Sequence, residues 1–387
     1  MNLFKSFFIG GFECADHINR CGQRINLLTE TKHDQLVFQD YNLMAEAGIK
    51  TVREGICWSS VEKKPYVFDF SEVKKRMEAA AYFDIQQIWD MCHFGYPIDL
   101  MPMHPCFTDR FVALCTAFAT FYRKNASQPL FVCPINEISF LSWHSGDMRG
   151  TVPFAVHSGW DIKYHLCKAA IKGIEALQKV NPHCRILTIE PLINIHDHPE
   201  FPDPHRVSSL NEDQFQAMDI IGGYICPELG GKPSNLDILG FNYYYNNQWV
   251  HGGSLLIWTL ELEKEHRLSN LLERVWRRYH RPILLSETGH FREDRDLWLR
   301  YITDECKQAL FDGVDLQGAC IYPMIDRPDW DDLSFYSNSG IWDLDADKNR
   351  IVFEPAYNML LKCSSEIDEL MPLFEMAGQP VLMGKNI

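Results

Sequence analysis

Short apolar runs alternate with stretches of helical period along nearly the whole chain. The runs fall at residues 7–12, 51–55, 87–92, 130–137, 185–189, 236–242, 282–287 and 318–322, and each reads as a strand. Between them the spacing predicts helices. One covers 34–47, with Val37, Tyr41 and Met44 on one face and Gly48 as its stop. Others cover 71–81, 108–124 (broken by Ser127-Gln128-Pro129) and 161–180 (closed by Asn181-Pro182). Further helices are expected from about 211, over 270–280, over 294–311 and from about 355. Residues 139–159 read as a long loop, and 191–205 as a Pro- and His-rich one. Eight alternations with no linker, repeat or low-complexity block predict an α/β fold, a single (β/α)8 TIM barrel filling 1–387 as one domain.

In such a barrel the reactive groups sit at the C-terminal ends of the strands. Here those ends carry Arg53, His93, Asn136-Glu137, Asn242 with Tyr244, Glu287 and Tyr322. One glutamate after a buried strand is commonly just its first solvated residue. Two of them, Glu137 and Glu287, on ends that can face each other across a rim, are the pair that glycosidic bond cleavage needs. One must protonate the leaving oxygen while the other attacks or activates water, so their environments must differ. Asn136 can hydrogen-bond a sugar 2-hydroxyl. Asn242 and Tyr244 stand two apart and share a direction, so the tyrosine can orient the attacking carboxylate. Arg53 can keep that carboxylate ionised. His93 is a donor to a sugar hydroxyl, and Trp58, Trp143 and Trp330 offer flat apolar faces for pyranose rings.

Composition narrows the partners. With 46% hydrophobic and 23% charged residues the chain can bury a large core. A net charge of −15 argues against nucleic acid, whose phosphates require clustered Lys and Arg. A small-molecule glycoside is the expected partner, and oligomeric state is left open. The 13 cysteines are odd in number and form no CxxC pair, and several lie in apolar runs, which suggests free thiols in a reducing, cytoplasmic setting. The apolar start of the chain reads as the first strand rather than a signal peptide. No run approaches the ~20 apolar residues of a membrane span. No metal and no cofactor is expected.

At this point the chain resembles a known family, the family 1 glycoside hydrolases. Arg53-Glu54-Gly55-Ile56-Cys57-Trp58-Ser59 is similar to their R-x-x-x-x-W-S, and His93-Phe94-Gly95-Tyr96-Pro97 to H-W-x-x-P. Asn136-Glu137 matches N-E, with Ile138 in place of the usual proline. Gly240-Phe241-Asn242-Tyr243-Tyr244 resembles G-x-N-Y-Y, and Ser286-Glu287-Thr288-Gly289 resembles T/S-E-x-G. The segment from Tyr322 to Trp330 resembles W-S-x-x-D-N-x-E-W. The six motifs occur in order over about residues 8–342.

The resemblance implies a retaining β-glycosidase with Glu137 as acid/base and Glu287 as nucleophile. Arg53 and Tyr244 would position Glu287, and His93, Asn136, Asp329 and Trp330 would hold the sugar. A first-strand glutamine has no clear counterpart among Glu13, Asp16 and His17, and His17 is preferred. Asp329 stands for a glutamate, Phe94 for a tryptophan and Tyr322 for a tryptophan, and the chain is shorter than typical members. These departures suggest altered sugar specificity. Asp331, Asp332 and Asp345 would repel a phosphosugar. Transglycosylation by the same residues, and a silent sugar-binding barrel, are the competing functions.

Other signals point elsewhere. His196, Asp197, His198 and His205 match no zinc spacing and read as a solvated loop. Glu190 lines the cleft or pairs with an arginine. Arg274, Arg277, Arg278 and Arg281 read as a solvated helix face. Trp89 and Trp342 read as core, and Trp143 as either core or a platform for the leaving group.

Overall fold

The computed structural model describes residues 3–259 and 266–376. Eight parallel strands close into a barrel: β1 (Phe8–Gly11), β2 (Thr51–Gly55), β3 (Gln86–Asp90), β4 (Phe131–Cys133), β5 (Arg185–Pro191), β6 (Ile238–Asn242), β7 (Ile283–Thr288) and β8 (Leu316–Ile321). Strands adjacent in sequence are adjacent in space, and β8 closes on β1 with Ile9 opposite Cys320. The outer helices are α1 (His33–Glu46), α2 (Ser71–Tyr82), α3 (Phe107–Asn125), α4 (Gly159–Val180), α5 (Gln216–Ile221), α6 (Leu268–Tyr279), α7 (Arg295–Phe311) and α8 (Glu354–Met376). The expected (β/α)8 barrel is the architecture found.

A parallel strand lies between the barrel interior and the helix layer, so both its faces must be apolar. That is why the strands read as near-continuous hydrophobic runs. Leu187 and Ile189 of β5 meet Ile9, Ile88, Phe131, Ile238 and Leu284 inside the barrel, while Ile186 joins the core beneath the helices. Phe4, ahead of β1, packs on Phe131 at 5.4 Å and completes the interior cluster. The helices answer with a single buried stripe. In α4, Ile162, Leu166, Ala169, Gly173, Ile174 and Leu177 face inward, and Asn181-Pro182 ends the helix because proline cannot continue it.

Alternation along β2 sends Arg53 into the barrel and Glu54 out. Glu54 is fully buried beneath α1 and α2. Its Oε1 accepts from Tyr41 at 2.7 Å and pairs with His33 Nε2 at 2.9 Å, and its Oε2 accepts from Arg76 at 2.8 Å. His33 Nδ1 lies 2.7 Å from Asp40, which Arg350 grips through Nε and Nη2 at 2.6 and 2.7 Å. Burial alone would raise the Glu54 carboxyl, but the His33 and Arg76 charges hold it down to about 2. Burial alone would lower His33, yet Glu54 and Asp40 outweigh it and leave the imidazole raised.

Two expectations fail locally. Residues 139–159 do not form one loop, because a helix covers Ile138–Gly146 at the rim. The helix expected from about 211 is two pieces, Pro204–Asp213 and the short α5. Among the described residues no helix is long and apolar enough to cross a membrane.

Candidate active site

Arg53 is the hub of the barrel mouth. Its side chain is 1% exposed, and its fork reaches three side chains and the Ser286 carbonyl. Nε and Nη2 hold both oxygens of Asp90 at 3.1 and 2.7 Å. Nη1 donates to Glu287 Oε1 at 2.6 Å, and Nη2 also reaches Asn136 Oδ1 at 2.7 Å. Tyr244 donates to the other Glu287 oxygen at 2.8 Å, so both carboxylate oxygens are held. A register slip in β7 helps to aim this residue. Leu285 pairs with Phe241 and Glu287 with Asn242, so β7 uses two residues where β6 uses one. Such a bulge re-aims side chains next to a cleft. Within it Ser286 donates to Asn242 Oδ1 at 2.7 Å.

Glu137 has a different environment. It follows β4 in a left-handed conformation (φ 47°) and begins the rim helix Ile138–Gly146. Burial raises its carboxyl well above the usual range, and the negative charge of Glu287 raises it further. The two glutamates therefore sit in different surroundings: Glu137 is biased to keep its proton, and Glu287 is held by a guanidinium and a phenol.

Around this pair lie buried polar atoms with no protein partner among the described residues. They include Asn136 Nδ2, Asn242 Nδ2, Trp330 Nε1 and both ring nitrogens of His17. Burial pulls His17 down to about 3, helped by His144 and Arg24, so its imidazole is neutral with one donor and one acceptor to offer. Its ring meets Trp330 edge-on at 4.7 Å, and Phe94 packs on the same indole at 5.1 Å. The other first-strand candidates are engaged. Asp16 accepts from the Ser59 backbone at 2.9 Å, and Glu13 accepts from Ala15 N at 3.0 Å and from Tyr322 at 3.3 Å. His93 Nδ1 lies 2.8 Å from Asp90, and its Nε2 lies 3.3 Å from the Tyr322 hydroxyl. Burial alone would depress His93, but Asp90 and Glu13 raise it. Gly11 makes room here, since a Cβ on it would sit 2.2 Å from the Tyr322 ring.

The structure brings Arg53, His93, Asn136, Asn242, Tyr244 and Glu287 into one hydrogen-bonded cluster, with Glu137 feeling the Glu287 charge and His17 and Trp330 packed together beside it. Asp329 turns one oxygen onto the backbone of Asp331 and Asp332, at 2.8 and 3.1 Å, and shapes its own loop. Trp143 stands 47% exposed on the rim helix, 5.8 Å from Phe140. Trp58 is a correction. It is 0% exposed, packs against Phe107 and Phe111, and donates to Glu62 at 2.6 Å, so no face is left for a sugar.

Asp90 escaped the sequence reading because Met91 and Cys92 follow it in the apolar run 87–92, although the strand itself ends at Asp90. Cys14, Asp90 and His93 bring possible metal-ligand atoms within 4.8 Å of one another. The Arg53 guanidinium already neutralises Asp90, and burial pushes the Cys14 thiol up, so this set suits a cation poorly. In the His-rich loop His198 Nδ1 accepts from two backbone N–H groups, both at 3.1 Å, and His196 pairs with Gln248 at 3.0 Å.

No family model matches the sequence, and no curated protein matches it either. Solved structures do. The chain is similar to the family 1 β-glucosidase from Thermotoga maritima, with a TM-score of 0.72, 13% identity, and coverage of 94% of this chain and 99% of that one. The same β-glucosidase in complex with glucoimidazole aligns at a TM-score of 0.73 and 13% identity, and in complex with deoxynojirimycin at 0.72 and 14%, with the same coverage. The closed barrel described above therefore has the fold of the family 1 β-glucosidases.

Proposed function

We propose that the protein is a retaining β-glycosidase that hydrolyses small soluble β-glycosides. Glu287 attacks the anomeric carbon while Glu137 gives its proton to the departing oxygen, forming a glycosyl-enzyme. Glu137, now a carboxylate, takes a proton from water as that water breaks the ester. The observation that carries this reading is the double hold on Glu287, with Arg53 on one oxygen and Tyr244 on the other. Such a hold fixes a nucleophile's orientation. Asn136, Asn242, His93, His17, Asp329 and Trp330 would bind the sugar, and Trp143 would meet the leaving group. A retaining reaction calls for carboxyl groups about 5–5.5 Å apart.

The test is covalent trapping. A 2-deoxy-2-fluoro β-glycoside with an activated leaving group should add one sugar to the protein, and peptide mapping should place it on Glu287. Absence of an adduct across gluco, galacto, manno, fuco and xylo probes would defeat the proposal.

A further inference from the structure

Glu190 ends β5 as an acid that the two-carboxylate reaction does not use. Its neighbours Leu187 and Ile189 point into the barrel, so strand alternation turns Glu190 outward, beneath the rim helix. It is 1% exposed. Neither sequence expectation describes it, since it is buried away from the cleft and among the described residues it pairs with no arginine. Instead its carboxylate accepts from Ser139 N, with oxygens at 3.1 and 3.3 Å, two residues past Glu137. The preceding residue of the same strand, Ile189, accepts through its carbonyl from Glu137 N at 3.0 Å. One strand end thus grips both sides of the left-handed turn at Glu137.

We propose that Glu190 is a positioning residue for the acid/base carboxyl: it clamps the turn that carries Glu137 and sets a second negative charge behind it. The proposal rests on the acid/base role given to Glu137 above. Burial does most to hold the proton on Glu137, Glu287 adds to it, and Glu190 acts in the same direction more weakly, while Asn242 and Arg53 oppose. Tyr244 feels the same carboxyl. Behind Glu190, α4 presents Lys163 and Cys167. The Lys163 ammonium donates to Gln216 at 2.9 Å, and among the described residues no cation makes an ion pair with Glu190. Burial lifts Glu190 itself to about 7, so its charge grows as the pH passes neutrality, when a general acid is most in danger of losing its proton.

The experiment is a carboxyl-carbon NMR titration of glutamate-labelled protein, with the Glu137 signal assigned by its loss in Glu137→Gln. In Glu190→Gln the amide oxygen still accepts from Ser139 N, but the charge is gone. The Glu137 midpoint should fall by about half a pH unit or more, and the basic limb of kcat/KM on an aryl β-glycoside should move by the same amount. Glu190→Ala loses the clamp as well, and its kcat should drop about tenfold, against about threefold or less for the glutamine variant. A Glu137 midpoint unmoved in Glu190→Gln overturns the proposal, even if thermal stability falls. If the wild type turns over no glycoside, the NMR midpoint still reads the Glu190 effect, and only the hydrolase reading fails.

Discussion

Arg53 Nη1 and Glu287 Oε1 stand 2.6 Å apart, joining β2 to β7 across the barrel mouth. Breaking a buried pair from one side leaves the other charge uncompensated, at a cost of about 3–5 kcal/mol. Arg53→Ala strands both Glu287 and Asp90. It should lower the unfolding free energy by about that amount and reduce kcat/KM at least about a hundredfold. Arg53→Lys keeps a charge but not the fork, and should fall between. Denaturant unfolding and steady-state kinetics read the two effects, and an alanine variant with unchanged stability would contradict the tie.

Tyr244→Phe removes a single O–H, 2.8 Å from Glu287 Oε2. A hydrogen bond to a charged group is worth about 1.5–3 kcal/mol, so kcat should fall about ten- to a hundredfold. The change is nearly isosteric, and the melting temperature should barely move. A rise in KM alone, with kcat preserved, would show that the phenol acts on binding instead.

The raised Glu137 carboxyl makes a pH prediction of definite sign. Folding lifts it above its unfolded value, so its contribution to stability is fully present below the unfolded pKa of about 4.3 and is lost as pH rises through the folded one. Glu137→Gln cannot ionise. Relative to wild type it should gain melting temperature at pH 8 compared with pH 5. Turnover of poor leaving groups should drop about 10²–10⁴-fold in the same variant. A melting difference that is flat with pH would reject the electrostatic account.

Glu54 predicts the opposite slope on the acid side. Its folded pKa is depressed to about 2, so its stabilisation is present above about pH 4.3 and vanishes as pH falls through about 2. The size is about 3 kcal/mol from a shift of that order. Glu54→Gln should be strongly destabilised at pH 7 and should converge on wild type near pH 2. Parallel curves over that range would refute the assignment.

The barrel was legible because parallel strands covered on both faces leave unbroken apolar runs, and because amphipathic helices such as α4 keep their period. The polar strand ends were legible for the same reason, since an acid or amide closing such a run stands out. The rim helix was not. Its buried positions, Ile138, Leu141, Ser142, Ser145 and Gly146, do follow helical spacing, but two of the five are serines and one is a glycine, so no hydrophobic stripe shows. Ser145 spends its hydroxyl on Leu141 O at 2.6 Å, which hides its polarity inside the fold. Trp58 misled because a motif position gives no depth, and its indole N–H found Glu62 in the core.

The inward Arg53 and outward Glu54 have a consequence for how the chain can misfold. Sliding β2 by one residue against its neighbours would exchange their faces. Glu54 would then confront Asp90 and Glu287 with no guanidinium among them, while Arg53 would lie beside Arg76 and His33. Both exchanges set like charges together away from water. The charge order of two adjacent residues thus makes the shifted pairing repulsive on both sides of the sheet, and the strand that anchors Glu287 is also one that resists settling in the wrong register.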